Sequence, residues 1–266
     1  MKKVLLVLVV AGLTTMVGIG QKKETRSASN FTGIDASSVF NITVARGSAE
    51  SLMIEADDEL MPYVRSEVRN GVLHLFVDKS IQEKKIKTLK ALIVMKNLDR
   101  LSLSGTCKLT ANDLFTPDTF KGSCSGVSNM TVNINTGQLD IDASGVSKIQ
   151  LKANVNGNAQ LDVSGTSKIQ AELKANHVKI RSSGVSSVDL SGSATDVIIG
   201  ASGTSKANAE KFTVRTATVE SSGTSKITVN VVETLKARSS GSSSVGYKGS
   251  PTIEVHTGVT SKVKKI

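Results

Sequence analysis

The chain holds three histidines, His74, His177 and His256, and many serines, nearly half of them in a recurring Ser-Gly-Thr/Val-Ser phrase. Serine with histidine and an acid is the equipment of nucleophilic acyl transfer, in which the imidazole takes the hydroxyl proton. That chemistry needs its serine on a strained strand-to-helix turn, and no such elbow is readable in the chain. Asp57, Asp58 and Glu59 form an acidic trio that could hold a cation, but an acidic start to a short helix accounts for it. Asp140, Asp142 and Asp162 come nearest to the carboxylate cluster of a polysaccharide lyase or hydrolase. Sugar sites usually add aromatic platforms, and this chain has two tyrosines and no tryptophan. The two cysteines, Cys107 and Cys124, are too few to hold a metal. No catalytic residue, metal or cofactor is therefore expected.

The serines make better sense as architecture. The phrase recurs with its glycines at Gly105, Gly126, Gly145, Gly165, Gly184, Gly203, Gly223, Gly241 and Gly258, in steps of 17 to 21 residues. A fixed period near 19 marks a solenoid. Counted from each glycine, apolar residues alternate with polar ones. Minus four is Leu101, Ile141, Leu161, Ile180, Ile199, Val219 and Ala237, with a gap at Gly122. Plus four is Leu109, Met130, Ile149, Ile169, Val188, Ala207, Ile227 and Val245. A period of two buries one face of a strand, and a slip of one residue would expose every member. Two short buried runs per repeat cannot complete a core alone, so the coils must stack as a parallel β-helix at ~4.8 Å per coil. Asn156-Gly157 and Asn176-His177 mark the corner between the runs.

On this register Ser147, Ser167, Ser186, Ser205 and Ser225 point inward at plus two as a hydroxyl ladder, and the glycines share their inward parity at a pinched or sharply bent wall. Cys107 and Cys124 replace small inward residues, and two buried thiols are expected rather than a disulfide. Outward at plus three stand Lys108, Lys148, Lys168, Lys206 and Lys226, interrupted by Asn129, Ser187 and Ser244. Lys148, Lys168, Lys206 and Lys226 are the candidate surface-binding row.

The remaining chain sets the context. Lys2 and Lys3 followed by the apolar run Val4 to Val17 read as a signal peptide over 1–20, cut before Gln21. A retained anchor is the rival reading. No cysteine follows the run, so a lipoprotein is not expected. Residues 21–30 read as a linker, 31–103 as an N-terminal β-rich part, and 104–266 as the β-helical repeat with a C-terminal cap. Between Asp57 and Arg69, Leu60, Val64 and Val68 suit one or two helical turns with Pro62 in the first. Asp78 to Lys90 reads as an exposed loop and Ala91 to Met95 as a buried strand. Net charge is +10, or +8 without Lys2 and Lys3. Basic clusters interleaved with aromatics are missing, so nucleic acid is not an expected partner. Anionic surface glycans or envelope components are.

The strand phrases at Phe31–Ile34 and Val39–Val44, the Asn70 to Leu73 turn, Leu101-Ser102-Leu103-Ser104-Gly105 and the Ser-Gly-Thr/Val-Ser-Lys ladder resemble the putative auto-transporter adhesin, head GIN domain family. The resemblance covers about residues 31 to 260. It implies an all-β, right-handed parallel β-helix in a secreted or envelope protein, and it brings no catalytic or binding residues. The expected function is a non-enzymatic, adhesin-like or envelope-interaction module that is not membrane-spanning after signal cleavage. A polysaccharide-binding or polysaccharide-degrading protein, or a structural or sensing protein of the periplasm, is the alternative.

Overall fold

The computed structural model describes residues 20–78 and 86–266, so the expected signal peptide and part of the 78–90 loop lie outside the described residues. Within them the chain is all-β, a solenoid of stacked coils of about 19 residues. Every residue assigned above to minus four or plus four is buried. Alternating apolar residues thus do what the period demands, filling the coil interior from both sides.

The solenoid begins earlier than the repeat suggests. Its first coil is β2 (Gly33–Ala36) and β3 (Asn41–Arg46), with Ser38 in the corner at φ 79°. It is followed by β4 (Ser51–Asp57), β5 (Val64–Arg69), β6 (Val72–Val77) and β7 (Leu89–Met95). β2 lies between β6 and β8 (Arg100–Leu103), parallel to both, and β3 between β7 and β9 (Lys108–Phe115). The coil made first is therefore sandwiched between the coil made second and the coil made third. A boundary between residues 103 and 104 would cut the β8–β9 coil at its corner. Residues 31–103 supply two coils that stack on the β8–β9 coil.

Antiparallel strands close this end. β4 pairs with β7, β5 with β6, and β1 (Gln21–Arg26) with β4, from Gln21 opposite Asp57 to Arg26 opposite Leu52. Residues 21–26 are thus an edge strand and not a linker. Their polar side chains are what an outermost strand needs to discourage further pairing. The expected helix also shrinks to a single 3-10 turn, Met61–Tyr63, with Pro62 in it and no side-chain cap. Val64 and Val68 belong to β5, where hairpin pairing across Asn70-Gly71 overrides the four-residue spacing.

Beyond β9 the coils follow chain order. β10 (Thr119–Cys124), β12 (Gln138–Ala143) and β14 (Asn158–Val163) extend the β8 wall in parallel, and β11 (Asn129–Thr136) and β13 (Lys148–Val155) extend the β9 wall. From β15 (Lys168–Ser182) through β16 (Ser187–Ala201), β17 (Lys206–Ser221) and β18 (Lys226–Ser239), single strands turn the second corner and serve both walls. The 21-residue step is absorbed as a bulge: Ala111 faces Val132 while Leu114 faces Asn133. At minus four the gap left by Gly122 is filled by the buried ring of Phe120.

β19 (Ser244–Lys248), β20 (Thr252–Thr257) and β21 (Lys262–Lys265) finish the stack. The last coil is no separate cap, since β20 and β21 keep parallel register on β18 and β19. Its glycine sits one residue early, and Val259, fully exposed, takes the corner place without a positive φ. Lys262, Lys264 and Lys265 mark this end, where Ile253 and Val255 remain partly open.

Candidate functional site

The Ser-Gly-Thr/Val-Ser phrase is the first corner of each coil. Gly165 has φ +67°, and a Cβ on it would lie 2.6 Å from the Gly145 carbonyl oxygen. The glycines are exposed at the apex of the turn, not inward as their parity suggested, because the left-handed residue lifts the chain out of strand alternation. The plus-two serines are buried as expected, from Ser128 to Ser243. Their hydroxyls are occupied within the corner. Ser225 Oγ donates to the Ser222 carbonyl at 2.8 Å, and Ser147 Oγ to Ser167 Oγ at 3.3 Å. A hydroxyl buried and bonded in this way tightens a turn and is out of reach of a substrate.

The histidines stand outside the wall that encloses those serines. His74 Nδ1 lies 3.1 Å from Asp35, His177 Nδ1 2.5 Å from Asp196, and His256 Nε2 3.5 Å from Glu254. Sequence reasoning missed all three pairs, since each joins neighbouring strands or alternate residues on the outer face. Asp57 does not cap a helix; its Oδ2 accepts from the backbone N–H groups of Lys87 and Thr88 at 2.9 and 3.1 Å. Among the described residues, no group of three His, Cys, Asp or Glu side chains could hold a metal ion.

Cys107 and Cys124 are free and buried. Burial pushes the Cys107 thiol up to about 11 and the Cys124 thiol up to about 12. The thiolate is the reacting species, so both should resist alkylation at pH 8 in the native protein and react once it is denatured. Mass spectrometry after iodoacetamide treatment checks this, and modification of folded protein would contradict it.

Asp142 and Asp162 face each other on adjacent strands. Arg181 Nη1 donates to Asp162 at 3.2 Å and Gln160 Nε2 at 2.7 Å, so Asp162 is engaged. Partial desolvation, then Asp162 and Asp140, hold the Asp142 carboxyl above its ordinary range. An acid with a raised folded pKa favours folding while protonated, and that contribution is lost as pH rises from its unfolded to its folded value. Asp142→Asn should therefore raise the midpoint of thermal unfolding slightly at pH 7. The gain should vanish at a pH below the usual aspartate range, which calorimetry at both pH values can test.

The plus-three residues form one continuous column. In stacking order it runs Lys90, Asn41, Lys108, Asn129, Lys148, Lys168, Ser187, Lys206, Lys226, Ser244 and Lys262. Two coils bring Lys148 beside Lys168, and two more bring Lys206 beside Lys226. Lys168 Nζ is held by Asp189 at 2.9 Å, while Lys148, Lys206 and Lys226 are exposed. Lys152, Lys174 and Lys211 lie on the same wall together with Glu172, which pairs with Lys152 at 3.3 Å, and the opposite wall carries Asp140, Asp142 and Asp162 with Lys121, Lys179 and Arg181. The next column outward from the lysines is Thr110, Thr131, Gln150, Gln170, Asp189 and Asn208, which the charge-based reading missed. Thr131 Oγ1 donates to Gln150 Oε1 at 3.3 Å, and Asn208 Nδ2 to Asp189 at 3.4 Å. A shallow groove of about 670 Å³ lies over this column.

Residues 30–172 and 152–251 match the family model described as "Putative auto-transporter adhesin, head GIN domain". No curated protein matches the chain in sequence. A "putative adhesin" from Parabacteroides merdae superimposes with a TM-score of 0.70 at 19% identity, over 94% of this chain and 97% of that one. A "putative adhesin" from Bacteroides fragilis gives 0.53 at 22%, over 93% and 98%. A "Putative lipid binding protein" from Parabacteroides distasonis gives 0.66 at 18%, over 94% and 98%. At these identities the likeness is one of fold.

Proposed function

On the premise that the chain belongs to the auto-transporter adhesin, head GIN domain family, we propose that it is a non-enzymatic, exported module that adheres through its lysine-bearing wall. Among the described residues, no helix is long and apolar enough to cross a membrane. The observation that carries the reading is the register of the column: separate strands place Lys148, Lys168, Lys206 and Lys226 in one line on one face. A solenoid offers such a surface because its contacts repeat with the coil. Isolated surface charges contribute little to folding, so this row is better explained by association than by stability. Its partner is anionic material of a cell surface or envelope.

Reversing Lys148, Lys168, Lys206 and Lys226 to glutamate should cut retention on cells or envelope fragments at least tenfold at low salt, with far-UV circular dichroism unchanged. Raising the salt should weaken the wild type in the same direction, since exposed charges are screened beyond ~8 Å at physiological ionic strength. Retention of the folded variant equal to wild type would overturn the lysine wall as the adhesive surface.

A further inference from the structure

We infer that the lysine wall takes a linear, polyanionic polysaccharide lying along the solenoid axis, an inference that rests on the adhesive reading above. Three features of the wall select this ligand. The first is the spacing of charge. Lys148 and Lys168 sit on adjacent coils, Ser187 intervenes, and Lys206 and Lys226 follow on adjacent coils before Ser244 and Lys262. At ~4.8 Å per coil, each step is close to one ring of an extended sugar chain. From Lys148 to Lys262 no two neutral positions adjoin, so a polymer charged at every ring never faces two successive coils without a lysine.

The second feature is the column beside the lysines. Thr131, Gln150, Gln170 and Asn208 carry side chains that both donate and accept, on four of five successive coils under the groove, with Asp189 on the coil between Gln170 and Asn208. Uncharged hydroxyl and amide groups at this spacing answer ring hydroxyls. The third is the absence of aromatic platforms, for the chain has two tyrosines and no tryptophan. Neutral glycans therefore lack a stacking surface, and single-stranded nucleic acid lacks one for its bases. Charge and hydrogen bonding must hold the ligand, which selects an acidic glycan over a neutral one.

The test uses polygalacturonate, which bears one carboxylate per ring, with dextran as the neutral polymer and phosphatidylglycerol vesicles as the anionic membrane. The full chain, a variant with Lys148, Lys168, Lys206 and Lys226 changed to Gln, and a variant of the other wall with Lys121→Gln and Lys179→Gln are compared by calorimetry and cosedimentation. Thermal unfolding confirms that each is folded. Wild type and the other-wall variant should bind polygalacturonate, the lysine-wall variant at least tenfold more weakly, and dextran should not bind. Affinity should rise with the length of galacturonate oligomers until they span the row. Absence of polygalacturonate binding, equal loss in the two variants, or tighter binding to vesicles would overturn the inference. Cell retention separates it from the parent reading. Lysine-dependent retention without polygalacturonate binding removes the glycan and leaves the adhesive wall. Polygalacturonate binding with lysine-independent retention removes the adhesive role and leaves the glycan site.

Discussion

Gly165→Ala should lower the unfolding free energy by about 2–5 kcal/mol, while Gly258→Ala should leave it within experimental error. The first value combines two costs. An L side chain in the left-handed region costs ~1–2 kcal/mol, and crowding a packed interior costs typically ~1–3 kcal/mol. At Gly165 the new Cβ would lie 2.6 Å from the oxygen and 3.0 Å from the nitrogen of Gly145, both backbone atoms that cannot swing aside. Relief would require the two coils to part, which breaks the hydrogen bond from Thr166 N to the Gly145 carbonyl at 2.7 Å. Gly258 has no positive φ, and its nearest atom would be 3.6 Å away. Gly71→Ala separates the two costs, since Gly71 has φ +73° but nothing within 4 Å of its Cβ. Chemical denaturation of the three variants should rank Gly165 well above Gly71, and Gly71 above Gly258. If Gly165→Ala were no worse than Gly71→Ala, close stacking of corner on corner would not be what demands glycine in the phrase.

Phe120→Ala should cost about 3–5 kcal/mol, the usual range for emptying a buried aromatic site. The ring is buried and lies under Gly122, where a Cβ would approach Phe120 Cε1 at 3.1 Å and Ile141 Cδ1 at 2.9 Å. Gly122 occupies the minus-four place that is Ile141 or Leu161 in the next coils, so the ring stands in for a missing aliphatic side chain. Gly122→Val alone should therefore destabilise by overpacking. In the Phe120→Ala background it should recover part of the loss, because the β-branched side chain enters the space the ring has left. The two changes must then be non-additive, as expected for residues that share one volume. A cycle that closes additively would show that Phe120 and Gly122 do not share that volume.

Both predictions depend on how the repeat is folded up, and they show where sequence reading stops. Alternation is a property of one strand and its solvent, so Leu139, Ile141 and Ala143 could be assigned inward without knowing their neighbours. Glycine at the phrase's centre is different. Its parity pointed inward, but a left-handed corner resets the alternation, and only the stack shows the Gly145 backbone lying against it. The inward thiols were legible too, and so were the plus-two serines. Their hydrogen bonds to turn carbonyls were not, since partners such as Ser222 and Ser225 meet only when the corner closes. The candidate row was readable as four lysines at one offset. The amide and hydroxyl column beside it escaped notice because all its members but Asp189 carry no charge and they differ from copy to copy.

The N-terminal part shows the limit most clearly. Ser38 holds a glycine's place, its carbonyl accepting from Thr106 N at 2.6 Å, so a search for repeated glycines misses this coil. The coil that contains it stacks between strands that follow it by about 30 to 70 residues, and β1 pairs with β4 across a similar gap. By itself, the sequence determined that this chain is a solenoid, which face of each strand is wet, and which offset carries lysine. These follow from a period of two inside a period of 19, both local in origin. Only the tertiary structure decided the order of the first coils, the closure of one end by antiparallel strands, and the alignment of lysines and amides on a single wall. Those depend on which backbones pair across long stretches of chain, and backbone hydrogen bonds are the same for every residue that makes them.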